Sequence, residues 1–441
     1  MYFAYSHAPI SCYFAHSSRD FVVQELPLYD FSGSGEHRIL KVRKKNLTTF
    51  ELISIIAKAF NLPKKSIGYA GLKDKNATTT QHLSIPAKST QDFFARFDSI
   101  AKEYDIKLLD STLHSNKLRL GHLKGNRFFV RIKKLTPANA KKLESTLTHI
   151  AQNGFPNFFG FQRFGINGDN YLLGRALSAQ RTKSTTTINE APYISLLAEL
   201  APELCHSPSK SPKQKRVMQE FFISSYQSFL FNAWLRARVC LSAWVRDSNA
   251  TDLQEITRHY AAQALESKPP LESTFTPPLE NSLQSAQDTC AITLCAQFLQ
   301  SLPKATLESL CAQPQSFTLL DGDLCCHYPH GKLFSLDSAT RAECERFSQQ
   351  GFSPTGALSG QNLKAPSTLA GQLEQSFISP IPAPSSRRYA WVWASDVEFD
   401  YKPEFAQAEL HFSLPSGAYA TSFLEQVLKQ HLKPQSPTQS K

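Results

Sequence analysis

No apolar run in this 441-residue chain approaches the roughly 18 residues needed to cross a bilayer. Its N-terminal stretch, MYFAYSHAPISCYFAHSSRD, has no basic segment ahead of a hydrophobic one. A soluble, cytoplasmic protein with no membrane partner is the expectation. Paired cysteines are also lacking. The nine thiols stand at 12, 205, 240, 290, 295, 311, 325, 326 and 344, without a Cys-x-x-Cys pair or histidines at zinc spacing. That pattern supports neither a disulfide framework nor a structural metal; buried, reduced thiols are expected. Carboxylates are in short supply, 37 against 48 Lys and Arg, and the formal net charge of +11 favours a polyanion, nucleic acid ahead of an anionic membrane. Apolar residues are not scarce. At 41% hydrophobic, with 31 Phe, the composition excludes a wholly disordered or collagen-like chain, and the length predicts two domains or more. There is no internal repeat.

Periodicity organises what is there. Asp20–Glu25 and Glu36–Arg43 alternate as strands do. Thr48-Thr-Phe-Glu51 reads as a capping box ahead of a helical stripe at 52, 53, 55, 56, 59 and 60 that ends before Pro63. Lys117–Lys134 reads as two strands joined at Gly121–Asn126, and Thr136-Pro137 opens a helix running to about Gly154. Ser/Pro/Lys-rich stretches at 206–215 and 267–288 predict long surface loops around an inserted domain, which contains a strong helix over 213–239. Alternation returns at 389–399 and 408–413, followed by a helix over 420–432 and a disordered polar tail, 433–441.

The positive charge is concentrated. Residues 36–75 hold ten Lys or Arg against three acids, and 111–142 hold nine and no acid. A charge run is usually a solvated face. Two runs with aromatics between them tilt the reading toward a surface that contacts phosphates, and exceed what one small anionic metabolite needs.

Three segments could carry chemistry. In Gly68-Tyr-Ala-Gly-Leu-Lys-Asp-Lys75 the lone carboxylate Asp74 lies between two lysines that would hold it ionised, as a nucleophile must be. The spacing excludes a P-loop. An ordinary turn aspartate is the commoner use of such a residue, and local context does not decide. In Leu118–Ile132, alternation puts Asn126, Phe128, Val130 and Ile132 on an apolar face and Arg127, Phe129 and Arg131 on a cationic one. Phe128 could stack on an unpaired base whose edge Asn126 bonds, or the two could be a core ring and a turn amide. Asn157–Gly165, with Gln162 and Arg163 among aromatics and glycines, could lie against RNA or form a packed hinge.

In this order, these segments resemble the TruD family of tRNA pseudouridine synthases. The likeness rests on Asp20–Glu25, Gly33–His37, Ala70–Lys75 with Ala77, Thr78 and Gln81, Leu118–Phe128, Asn157–Gly165 and Phe412–Ser422. Within the middle, Ser228–Asn232, Asp321–Asp323 and Ser353–Gly356 look like the family's inserted domain. The resemblance implies an α+β pseudouridine synthase catalytic fold, a mixed and largely antiparallel sheet with helices, over 1–165 and 376–432. An inserted α/β TRUD domain, 166–375, would interrupt it. It implies isomerisation of a uridine in tRNA, typically position thirteen of the D arm, with no cofactor; a monomer with no metal and no protein partner is the expectation. Asp74 would be catalytic, and Phe128, Asn126, Lys73 and Arg163 would bind the substrate. One departure stands out: the family's lysine ahead of the Asp-Phe-Val-Val motif is Ala15 here, with His16, Arg19 and Lys73 as candidate replacements. A non-catalytic tRNA-binding or RNA-remodelling protein is the alternative that this departure raises.

Overall fold

The structure, a computed structural model, describes residues 3–15, 17–73, 75, 77–89, 93–165, 168–182, 212–266 and 282–432. They fall into two compact units, each built from separated stretches of chain: 9–152 with 393–420, and 3–8 with 153–392 and 421–432. The changeovers at 152/153 and 392/393 contrast with the limits of about 165 and 376 that the resemblance implies. A short ladder explains the difference, since Trp391–Val392 pairs antiparallel with Phe155–Pro156 and keeps both segments in one unit.

From residue 9 to 152 the chain forms β1 (Tyr13–Phe14), β2 (Phe21–Pro27), β3 (His37–Lys44), α1 (Thr49–Ala59), β4 (Gly68–Tyr69), β5 (Thr78–Pro86), α2 (Phe93–Glu103), β6 (Ile106–His114), β7 (Leu123–Lys133) and α3 (Pro137–Asn153). The expected capping box is present: Thr48 Oγ1 accepts from Glu51 N at 3.1 Å, and Thr48 N donates to Glu51 Oε2 at 2.6 Å. Leu52, Ile53, Ile56 and Ala57 of α1 then pack on Leu40, Val42, Leu83 and Ile85 of the sheet and on Phe93 and Phe97 of α2. Burial of each large side chain there contributes roughly 1.5–3 kcal/mol.

The reading of Lys117–Lys134 as two strands is corrected: only β7 is a strand, and 117–122 is turn and irregular backbone. Its N–H groups have partners outside a ladder. Leu118 N donates to Ser84 Oγ at 2.9 Å and Gly121 N to Ala70 O at 3.1 Å.

The second unit begins with β8 (Phe155–Pro156) and continues through α4 (Asn170–Thr182), α5 (Pro212–Asp247), α6 (Ala250–Glu266), α7 (Ser282–Gln300), α8 (Lys304–Cys311), β9 (Leu324–His327), β10 (Leu333–Ser335), α9 (Arg341–Ser348), β11 (Phe352–Leu358), α10 (Thr368–Gln375), β12 (Ser386–Tyr389) and β13 (Trp391–Val392). Four of its strands make an antiparallel sheet in the order β10-β9-β11-β12. The predicted helix over 213–239 is α5, which is longer and buries Arg238 against Asp323 with bonds of 2.6 and 2.9 Å. Of the stretches expected to be loops, 206–211 and 267–281 lie outside the described residues, whereas 212–215 and 282–288 open α5 and α7.

The chain then re-enters the first unit with β14 (Ser395–Lys402) and β15 (Gln407–Pro415) before α11 (Ala420–Leu428). The alternation seen over 389–399 is real but divided, because Tyr389 ends β12, residues 391 and 392 form β13, and β14 starts at 395. The large sheet has the order β14-β15-β7-β2-β5-β3-β6, with β1 on β7 and β4 on β5. Among these pairings only β2–β5 is parallel. This is the mixed, largely antiparallel α+β architecture expected. The tail at 433–441 lies outside the described residues.

Candidate active site

Strand β2 alternates as a half-buried strand should until its third inward position. Phe21 and Val23 are buried, and so is Glu25, a carboxylate in a place meant for an apolar side chain. An unpaired charge there would be costly, so a partner is required. It is Lys73: its Nζ lies 2.8 Å from Glu25 Oε1, the two side chains being 5% and 1% exposed. Glu25 Oε2 accepts from His82 N of β5 at 2.7 Å, with His82 Nδ1 at 3.5 Å. Burial alone would raise the Glu25 pKa, but the His82 hydrogen bond and the Lys73 charge outweigh it and hold the carboxyl below its ordinary value.

The other end of Lys73 is fixed as well. Its backbone N donates to Oγ1 of buried Thr49 at 2.9 Å, and Thr49 Oγ1 donates to Gln81 Oε1 at 3.1 Å. The residue that carries the proposed chemistry, Asp74, lies outside the described residues. The segment leading to it is therefore clamped to β2 by a side chain and to α1 by a main-chain bond. On the far side of Asp74, Lys75 makes an exposed contact of 3.5 Å with Glu51.

Register brings further polar groups to this face. Asn126 of β7 sits opposite Glu25, and Thr79 of β5 opposite Val23, with Gln81 two residues on. Asn126 Oδ1, Thr79 Oγ1 and Gln81 Nε2 are buried and find no hydrogen-bond partner among the described residues. Each such group costs about 1–3 kcal/mol, an expense typical of places where a ligand completes the set.

Of the residues singled out in the sequence, Lys73, Asn126 and Phe128 are thus gathered around Glu25. The surroundings of two of them are specific. Lys73 is engaged with Glu25, which anchors the segment that carries it. Phe128 is only 6% exposed, stacked on Phe412 at 5.3 Å and 23° and tilted against Phe21 at 5.9 Å. It is a packed ring. Arg163 belongs to the other unit, where its Nε donates to Ser228 Oγ at 3.1 Å, another guanidinium nitrogen bonds Ser224, and Phe159 and Phe221 flank it at 5.7 and 5.8 Å. Ala15 supplies no charge; of the suggested replacements, Arg19 is exposed and His16 lies outside the described residues.

The cationic face of β7 is also paired within the sheet. Arg127 meets Glu398 at 2.7 Å, Arg131 meets Glu409 at 2.9 Å and Asp20 at 3.3 Å, and Lys133 meets Asp20 at 2.6 Å.

Glu25, Thr49, Thr79 and His82 were missed as site residues. Glu25 had a legible signal, a carboxylate in the apolar phase of β2; the others had none. Among the described residues no group of three His, Cys, Asp or Glu could hold a metal ion, and no helix is long and apolar enough to cross a membrane. Cys12, Cys240, Cys295, Cys311, Cys325, Cys326 and Cys344 are free thiols, with Cys240, Cys295, Cys325 and Cys344 buried.

Known proteins bear on this arrangement. Residues 1–188 match the family model described as tRNA pseudouridine synthase D (TruD). A tRNA pseudouridine synthase D of Helicobacter hepaticus is 41% identical over 97% of this chain and 96% of its own length. Another, from Wolinella succinogenes, is 38% identical over 97% of this chain and 98% of its own. A solved chain from Methanosarcina mazei, provisionally assigned as tRNA pseudouridine synthase D, shares the fold at a TM-score of 0.58, covering 98% of this chain and 96% of that one at 20% identity. With identity of this degree running along nearly its whole length, the chain belongs to the TruD family.

Proposed function

We propose that this protein isomerises a uridine in tRNA to pseudouridine, at position thirteen of the D arm, with Asp74 as the nucleophile. The N1–C1′ bond of the nucleotide breaks, the base turns, and C5 joins C1′; C5 gives up its proton and N1 gains one. Atoms and electrons balance without an external reactant. Asp74 either attacks the uridine or stabilises the sugar as the base departs, and both tasks need an ionised carboxylate. The target must first leave the RNA stack at a cost of a few kcal/mol.

The observation that supports this reading most is the clamp on Lys73, together with family membership. A buried ion pair to Glu25 and a main-chain bond to Thr49 hold the residue next to Asp74, the preorganisation that catalysis by one small group requires. Uracil has one N–H and two carbonyls to offer. The unpartnered Asn126 Oδ1 and Gln81 Nε2 can take that edge, while Phe128 fixes Asn126 through the packing of β7. Arg163 acts on the tRNA side of the other unit, through the rigid bracket that Ser224 and Ser228 give it.

The test is Asp74→Asn, which abolishes pseudouridine formation and leaves tRNA binding largely intact. Mapping pseudouridines in tRNA from cells with and without the gene checks reaction and position together. A variant that still formed pseudouridine would remove Asp74 from the mechanism.

A further inference from the structure

Two hollows open on the unit of 9–152 and 393–420, and they share two side chains. One, of about 470 Å³, is lined by Tyr29, His114, Asn116, Lys117, Arg119 and His122. The other, of about 610 Å³, is lined by residues that include Phe50, Lys64, Lys65, Tyr69 and Leu120, and again by Lys117 and Arg119. Neither is lined by a carboxylate. Arg119 is exposed and forms no ion pair or side-chain hydrogen bond among the described residues, unlike the paired arginines of β7.

Rings flank these cations on both sides. Phe50 is 57% exposed, meets Tyr69 edge-on at 6.1 Å, and neighbours Leu120, which is 65% exposed. Across the strip Tyr29 stacks on His114 at 5.3 Å and 28°, and its hydroxyl bonds His122 Nδ1 at 2.8 Å. Lys117 Nζ donates to Lys65 O at 2.5 Å but meets no carboxylate, and large exposed apolar side chains beside cations without counter-charges are wasteful on a surface that stays wet.

The strip is tied to the segment that leads toward residue 74. Buried Leu118 anchors it from below through its bond to Ser84 Oγ. Gly68 allows the approach, since a Cβ there would lie 2.3 Å from Leu118 O. Gly121, at φ +92°, turns the chain so that its N–H reaches Ala70 O, four residues before Asp74.

Resting on the proposed activity, we infer that this strip holds the unpaired nucleotides next to the target uridine. Lys117 and Arg119 take phosphates, and the Phe50–Tyr69 and Tyr29–His114 ring pairs take bases on either side. Alternating cations and ring faces suit a single strand, whose bases stack without sequence preference while its phosphates follow the charge. A small anion would use the cations and leave the rings idle.

The test measures tRNA binding against salt for the full chain, with Arg119→Gln, Lys117→Gln and Phe50→Ala, alongside steady-state kinetics and thermal unfolding. Each cation replaced lowers the slope of log affinity against log salt by about one. Phe50→Ala weakens binding about ten-fold at unchanged slope. Cross-linking of tRNA carrying 4-thiouridine at sites beside the target labels peptides within 50–69 or 114–122. Wild-type binding with strong salt dependence, an unmoved slope in both cation variants and cross-links only elsewhere overturns the strip and spares the proposed activity. A wild-type chain that binds no tRNA overturns both.

Discussion

Lys73 and Glu25 form a buried ion pair at 2.8 Å that ties the loop carrying Asp74 to the inward face of β2. Removing one partner strands the other charge. Glu25→Gln or Lys73→Met is expected to cost roughly 3–5 kcal/mol, whereas the double variant recovers much of that loss. Turnover stays low in all three because the loop has lost its clamp. Urea denaturation beside a pseudouridine assay checks this; full turnover in the stable double variant would show that the clamp is only structural.

The same pair sets an acid limit. The Glu25 carboxyl titrates below its ordinary 4.5, so its contribution to stability is complete above that value and fades only as pH falls beneath it, through the lowered folded-state value. Unfolding free energies between pH 6 and 3 are expected to fall less steeply in Glu25→Gln than in the wild type.

Asn126 offers the cleanest separation of binding from folding. Its buried Oδ1 has no partner to lose among the described residues, so Asn126→Ala is expected to leave stability within about 1 kcal/mol. Turnover should fall by one to two orders of magnitude if that oxygen meets the uracil edge. Paired melting curves and single-turnover rates decide it.

Glu425, in the other unit, should respond to pH in the opposite sense. Burial lifts its pKa from 4.5 to about 7, against the opposing hydrogen bond from Leu432 N at 3.0 Å. An acid raised on folding binds more protons folded than unfolded between those two values, so stability declines from about pH 4.5 to 7 and then levels. Glu425→Gln keeps the amide oxygen as acceptor and removes that decline, giving a gain of up to about 3 kcal/mol at pH 8. Thermal midpoints at pH 5 and 8 check it.

Gly68→Ala should act at a distance. The added methyl would press on Leu118 O and on Ser84 Oγ, each 2.3 Å away, so residues 117–120 must move. An overpacking cost of about 1–3 kcal/mol is expected, with weaker tRNA binding at the same time. Unchanged hydrogen exchange at Leu118 would count against it.

Much of the first unit was legible because amphipathic strands and helices announce their inward faces. Strands β2 and β3, the capped helix α1 and helix α3 follow from periodicity alone. Where alternation misled, the backbone partners were at fault. Lys117-Leu-Arg-Leu120 alternates like a strand, yet Leu118 N goes to a serine hydroxyl and the N–H of Gly121, just beyond, to a loop carbonyl. Residues 389–399 alternate across three different pairings, and a pattern of side chains carries no information about which neighbour the backbone selects. Asp74, Asn126 and Phe128 stood out only through resemblance, since each has a blander local use. The Glu25–Lys73 contact joins residues far apart in sequence, and only the misplaced carboxylate of β2 hinted at it.

Neither unit is a continuous piece of chain, and this constrains synthesis. Ala4 N donates to Gln426 Oε1 at 2.9 Å, and Tyr5 OH reaches Gly154 O at 2.5 Å, so one unit unites residues 3–8 with the last described helix. The other awaits β14 and β15 to cover β7. Each unit is therefore unfinished while the chain is being made until its later stretch has followed, and a stop anywhere ahead of residue 421 leaves neither one whole.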